Sequence, residues 1–308
     1  MTSGGTTDAA VKSSANELAE TARAKVNLTL RVVGRRVDGY HDLESVVAFA
    51  DCADRLSLLP GAELELKTTG PLADACGDVS DNLVLKAARL LAERVAGLKT
   101  GTFTLHKALP VAAGIGGGSA DAAAALRLLA RANGLVVNDA RINEVARLTG
   151  ADVPVCVPSL PCVMTGVGES LLPLNLPKLP CVLVNPRVAV ATKDVFAALG
   201  LRSGELRVGI TDVIQAIAWP EAGASVEDWV EAFAASSNDL ESPAMRIQPI
   251  IGNVISALSA TDGTWLSRMS GSGATCFAIY ENTAEAGRAA EKIRRDHPEW
   301  WVHSGVLS

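Results

Sequence analysis

The residues in this chain whose types and spacing could do chemistry gather first in PVAAGIGGGSADAAAAL, residues 110–126. Gly114, Gly116, Gly117 and Gly118 remove side chains where backbone amides must approach an anion closely. The helix-forming run behind them aims its unsatisfied N–H groups and positive dipole end at the same point. That combination is a phosphate seat. Ser119, at the helix start, either caps the helix or gives a hydroxyl to a phosphate or a phosphate-bound Mg2+. Asp121 reads as a cap-and-dipole residue. The pattern GxxxxGK[ST] is absent, which excludes a P-loop nucleotidase of the usual kind. Gly114, Gly116 and Ser119 come close to the dinucleotide pattern GxGxxG, but Pro110 to Ala113 separate them from any strand and Ser replaces the third glycine. A dinucleotide-dependent oxidoreductase stays as an alternative.

Asp152, in GADVPVCVP, stands among Ala151, Val153, Val155 and Val157. A carboxylate there is costly to bury without partners, so it is either paired for structure or held for reaction. Lys25 is the matching cation, on the polar side of a strand beside Asn27, although spacing alone favours a solvated strand face for both. Gly271, Ser272 and Gly273 form a second small-residue loop, either a tight turn or another loop facing phosphate.

These residues need elements to position them. Alternation over Ala24 to Val33 predicts a half-buried strand, and Asp38-Gly39 marks a loop over Arg35 to Asp42 before a strand in LESVVAFA. Further strands are expected at Arg55 to Leu59, Glu63 to Thr68 and Thr102 to Lys107, with a helix over Asp81 to Ala96. SADAAAALRLLARANG reads as a helix closed by Asn133-Gly134, and Asn138 caps a shorter helix ending at Gly150. Downstream, CVLVNP is a strand; Thr192 to Leu199, Val226 to Ala234, Ser242 to Leu258 and Thr283 to Arg295 are helices; and SGSGATCFAIY and WWVHSGVL supply a loop with its strand and a closing strand.

Composition narrows the class. A chain of 308 residues, 48% hydrophobic, has room for roughly two domains. With 34 acidic and 28 basic residues the formal charge is -6, and no basic stripe interleaved with aromatics points to nucleic acid. The N-terminus lacks the basic-then-apolar order of a secretion signal, and prolines interrupt the apolar stretches short of the ~18 residues of a spanning helix, so a cytoplasmic protein with no membrane partner is expected. Six cysteines without a CxxC pair suit reduced, buried thiols, and four scattered histidines support no zinc site. The expected organisation is a flexible tail over 1–20, an N-terminal phosphate-binding domain over 21–165 and a C-terminal domain over 166–308, divided near Gly166 in the Pro-rich region.

Taken in order, AKVNLTLRVVGRRVDGYH, PVAAGIGGGSADAA, GADVPV, NDLE and SGSGATCF resemble the motifs of the GHMP small-molecule kinases from about Ala24 to about Tyr280. The resemblance implies an α+β fold of two domains, each a mainly antiparallel sheet with helices, and an active site in the cleft between them. It implies ATP as co-substrate, held along Pro110, Val111, Ala112, Ala113, Gly114, Ile115, Gly116, Gly117, Gly118, Ser119 and Ala120, with Mg2+ arriving on the nucleotide and not held by the protein alone. Lys25 and Asp152 match the family's catalytic pair. The DGYH segment is similar to that of members whose small-molecule alcohol substrate carries a cytidine diphosphate, for which Asn27, Tyr40 and His41 match the substrate contacts and Phe196 stands where a second aromatic could face the base. A family member with another alcohol acceptor is the alternative, and both a monomer and a homodimer are compatible. Ala120 departs from the pattern, standing where the family often has a second serine.

Overall fold

The computed structural model describes residues 17–207 and 219–308, and among them the strands join in one eleven-stranded sheet. Its hub is a long strand, β3 (His41–Gly61), which pairs antiparallel with β1 (Leu18–Asn27), β2 (Arg31–Arg35), β5 (Thr100–His106), β6 (Cys162–Gly166) and β11 (Trp301–Leu307). Strand β4 (Glu65–Thr69) runs parallel to β5, and β7 (Ser170–Pro173) hairpins back on β6. Beyond β11 the order is β8 (Leu179–Asn185), β10 (Cys276–Tyr280) and β9 (Thr264–Met269), all antiparallel.

Several expectations need correction. The strand expected over Ala24 to Val33 is interrupted between β1 and β2, because Leu30 leaves β3 to bond the backbone of Ser237 and Asp239. The strand start at Leu18 takes three residues from the expected tail: Leu18, Ala19 and Glu20 pair with Leu58, Ser57 and Leu56. Residues 1–16 lie outside the described residues. LESVVAFA and Arg55 to Leu59 are one strand, not two, since Asp54 between them is buried and fully engaged. The division expected near Gly166 falls within the β6–β7 hairpin, whose first strand is laid on β3.

The helices follow their apolar faces. Asn82 caps α1 (Leu83–Arg94), which buries Val84, Ala87, Ala88 and Leu91. Alanines let α2 (Gly117–Ala132) lie close on the sheet, and Gly134 with φ +65° turns the chain out after it. Asp139, not Asn138, caps α3 (Ala140–Thr149). A single turn, α4 (Val153–Cys156), follows. In the C-terminal half come α5 (Thr192–Ala197) and α6 (Val226–Ala234). The helix expected over Ser242 to Leu258 is two, α7 (Glu241–Ile247) and α8 (Ile250–Ser259), because Pro249 has no N–H and forces Gln248 out of helical geometry. Last is α9 (Thr283–Asp296).

Burial forms three apolar clusters, one under α1 to α3 and one under α7 to α9. The third joins the halves: Val26, Leu28, Leu109 and Ile115 from one side meet Leu183, Phe233, Phe277 and Ile279 from the other. Loops that sit above this seam are thereby held in fixed relation.

Candidate active site

Lys25 lies on β1, where a register shift between Arg23 and Lys25 turns the strand. It is 3% exposed, so the solvated strand face that its spacing suggested is not what it occupies. Its Nζ donates to Asp152 Oδ1 at 2.9 Å and to Asn27 Oδ1 at 3.0 Å. Asn27 Nδ2 in turn donates to Ser45 Oγ at 2.7 Å, which locks the amide orientation. Asp152 stands directly before α4, and its side chain is 38% exposed. The carboxylate is therefore paired and also open to the cleft.

The glycine segment rises opposite this pair. Gly116, at φ +62°, precedes the first turn of α2 with no side-chain cap, which leaves the N–H groups of Gly117, Gly118 and Ser119 without intrahelical partners. A side chain on Gly116 would lie 3.3 Å from the Lys25 stem. At Gly114 a second requirement for glycine appears: a Cβ there would lie 2.6 Å from the Ser270 carbonyl and 2.7 Å from that of Gly273. Its close neighbour is the backbone of the second small-residue loop. Ser270 Oγ donates to the Gly114 carbonyl and accepts from Asn27 N–H, both at 3.1 Å, so the two loops and β1 are bolted together. Asn238, from NDLE, donates to the carbonyls of Met269 and Gly271 at 2.8 Å each and braces the second loop from below.

Lys25, Asn27, Asp152, Ser119, Gly114, Gly116, Gly117 and Gly118 line one cleft of about 520 Å³, together with Thr192, Gly271 and Ser272. Thr192 and Ser272 share a hydrogen bond of 2.8 Å across its far wall. Phe196 reaches this cleft and also an adjoining cavity of about 460 Å³ that holds Tyr40, His41, Arg35 and Lys193. The His41 and Phe196 rings stack at 4.6 Å. Burial, and then the Arg35 cation, push the His41 imidazole below its ordinary value. A neutral ring offers both a donor and an acceptor. Tyr40 is 60% exposed at the cavity mouth, on a loop turned by Gly39 at φ +92° and by the Asp38 side chain. A third cavity, lined by Arg31, Glu44 and Asp239, contains none of the expected residues.

Within the ATP segment, Pro110, Ala113 and Ile115 are buried supports, whereas Val111 and Ala112 are exposed at the rim, with Ala112 at φ +52°. Ala120, in the first turn of α2, is buried. Asp121 is not a cap. It is buried, 2.7 Å from Lys107 Nζ, and Lys107 Nζ is 2.6 Å from Asp54 Oδ2. Burial, with Asp54 as a second carboxylate nearby, pushes the Asp121 carboxyl up to about 7 in spite of Lys107. An acidic residue inside an alanine-rich helix face was the sign of this cluster. Among the described residues no group of His, Cys, Asp and Glu could hold a metal alone, no helix is long and apolar enough to cross a membrane, and all six cysteines are unpaired.

Two family profiles match the chain: GHMP kinases N terminal domain over residues 82–159 and GHMP kinases C terminal over 221–299. A 4-diphosphocytidyl-2-C-methyl-D-erythritol kinase of Bradyrhizobium diazoefficiens is 72% identical over 291 residues, covering 94% of this chain and 98% of that protein. One of Nitrobacter hamburgensis is 70% identical over 292 residues, 95% and 96% of the two chains. A crystal structure of 4-(cytidine 5'-diphospho)-2C-methyl-D-erythritol kinase superposes with a TM-score of 0.73 at 33% identity, covering 94% of this chain and 99% of that one. Homoserine kinase from Cytophaga hutchinsonii shares the fold, with a TM-score of 0.66 at 16% identity over 98% and 97% of the two chains.

Proposed function

The chain belongs to the 4-diphosphocytidyl-2-C-methyl-D-erythritol kinase family of GHMP kinases, and from that premise we propose how its own residues carry out the phosphoryl transfer. The reaction is ATP-dependent phosphorylation of the 2-hydroxyl of 4-diphosphocytidyl-2-C-methyl-D-erythritol, giving the 2-phosphate and ADP, in the methylerythritol phosphate route to isoprenoid precursors. The observation that carries the reading is the Lys25–Asp152 pair, 2.9 Å apart, in the same cleft as the open end of α2.

Asp152 orients the acceptor hydroxyl and takes its proton as the new O–P bond forms. Lys25 holds the Asp152 carboxylate in place through the 2.9 Å contact and offsets negative charge on the transferring group. Asn27, fixed by Ser45, holds the Lys25 ammonium on line and presents its edge to the acceptor. The amides of Gly117, Gly118 and Ser119 receive the phosphates of ATP. The Ser119 hydroxyl would hold a Mg2+ ion carried on the nucleotide, which would supply positive charge to neutralise the phosphates. The cytosine enters the cavity of Tyr40, His41 and Phe196, with His41 hydrogen-bonding its edge and the other two rings covering its faces. The division between an N-terminal ATP-binding part and a C-terminal part is best drawn between β7 and β8, where the chain leaves the sheet neighbours of β3.

A coupled ADP-release assay tests the acceptor. Turnover is expected with the cytidine-bearing alcohol and not with mevalonate or homoserine; equal turnover of either of these removes the substrate assignment. Tyr40→Ala is expected to raise the KM for the cytidine-bearing substrate by at least several-fold and leave the KM for ATP near its starting value. Stacking on a base contributes about 1–3 kcal/mol. An unchanged acceptor KM shows Tyr40 to be a loop aromatic only.

A further inference from the structure

Lys107 is buried beneath the cleft and does not line it. Three separately folded pieces of the phosphate-binding apparatus nevertheless meet at its ammonium. Asp54 comes from the middle of β3 and takes Lys107 Nζ on Oδ2 at 2.6 Å. The other oxygen of Asp54 accepts the N–H groups of Ala108 and Leu109, at 2.6 and 2.9 Å, where the glycine segment leaves the sheet. Asp121 comes from the start of α2 and accepts from Lys107 at 2.7 Å. A Cβ placed on Gly117 would lie 3.4 Å from Lys107 Nζ, so the ammonium sits directly under the first turn of α2.

Stability alone does not account for this cluster. Two carboxylates share one cation, and Asp121 Oδ1 is buried with no hydrogen-bond partner. A buried ion pair generally contributes no more than apolar side chains of the same volume, and an unsatisfied carboxylate oxygen costs free energy outright. The other buried positions of α2 carry glycine, alanine or leucine. What the ion pairs supply, and apolar packing cannot, is direction: a charge-assisted hydrogen bond fixes the rotation of α2 about its axis and its height relative to the loop.

We propose that Lys107, held between Asp54 and Asp121, is a positioning clasp that sets the first turn of α2 against the glycine segment and so preorganises the amides of Gly117 to Ser119 for the ATP phosphates. The clasp touches neither nucleotide nor acceptor. It rests on the reading of this segment as the phosphate seat.

The test is steady-state kinetics with both substrates varied, on Asp121→Ala, Asp121→Asn and the control Gly118→Val. Asp121→Ala unties α2 and leaves Lys107 paired with Asp54; the KM for ATP is expected to rise roughly tenfold or more, with the acceptor KM changed less than about threefold. Asp121→Asn keeps an oxygen for Lys107 and removes the surplus charge, and is expected to bring the ATP KM back to within about threefold of the parent. A merely structural role lowers the melting temperature without this split between the two KM values, and without rescue by asparagine. If Asp121→Ala does not fold, Asp121→Ser, whose hydroxyl stops short of Lys107, repeats the comparison with the same expected rise. Gly118→Val fills the seat itself. A raised ATP KM in the control with no change in Asp121→Ala or Asp121→Ser overturns the clasp alone. An unchanged ATP KM in the control overturns the phosphate-seat reading.

Discussion

Asp152→Asn lowers turnover by roughly 10²–10⁴-fold, the span typical of general acid-base help, while ATP still binds. Asparagine keeps the shape of the side chain and an oxygen for Lys25 Nζ, so the 2.9 Å contact survives and only the charge and the basic site are lost. Because the carboxylate is more than a third exposed, its neutral replacement relieves no large burial cost, and the folded enzyme is expected to melt close to the parent temperature. Lys25→Met removes the cation paired with Asp152 and takes the donor from Asn27, and it too is expected to lower turnover. The double variant loses less than the product of the two single losses, since neither residue acts without the other. Single-turnover kinetics and ATP titration check these outcomes. Nearly full turnover in folded Asp152→Asn removes the residue from the mechanism.

How far the sequence reveals this site differs from residue to residue. Gly116 to Ser119 are readable because glycine before a helix-forming run has a local cause, and the helix start stands where that cause puts it. Lys25 and Asp152 are not readable from local pattern. They are 127 positions apart, and only the laying of β1 beside the turn before α4 brings Nζ to Oδ1. Strand alternation assigned Lys25 to solvent because period two separates the faces of a sheet, and it does not reveal that one of them is a covered cleft. The apolar neighbours of Asp152 made it and Lys25 candidates, and the family resemblance gave the pair its catalytic role. The Lys107 cluster was hidden in another way: two strands were expected on either side of Asp54, yet it is a buried residue within the single strand β3, with both carboxylate oxygens hydrogen-bonded. At Pro249 the local signal was present and outweighed by the apolar period on either side, although a missing N–H breaks a helix whatever its neighbours prefer.

Gly114→Ala is expected to damage turnover and stability together. The backbone at Gly114 has φ +73°, a left-handed conformation that costs an L-residue about 1–2 kcal/mol. The added carbon would also sit 2.6 Å from the Ser270 carbonyl, 2.7 Å from that of Gly273 and 2.8 Å from the Gly273 nitrogen. All three are backbone atoms, which cannot swing aside as a side-chain end can. Either the glycine segment or the second loop must retreat. If the second loop moves, Ser270 loses its contacts with Asn27 N–H and the Gly114 carbonyl, and the brace from Asn238 is strained in turn. If the glycine segment moves, it carries the first turn of α2 away from Lys25, since Ile115 accepts from Lys25 N–H at 2.9 Å and Gly116 packs on the Lys25 stem. Both routes disturb the phosphate seat and the seam between the halves together. Turnover should fall by roughly 10²-fold or more, as for displacements of about 1 Å at a reacting centre. Stability should fall by about 3 kcal/mol, lowering the melting temperature measured by calorimetry by several degrees. Wild-type melting and wild-type ATP affinity in Gly114→Ala, measured together by calorimetry and titration, contradict the close contact between the two loops.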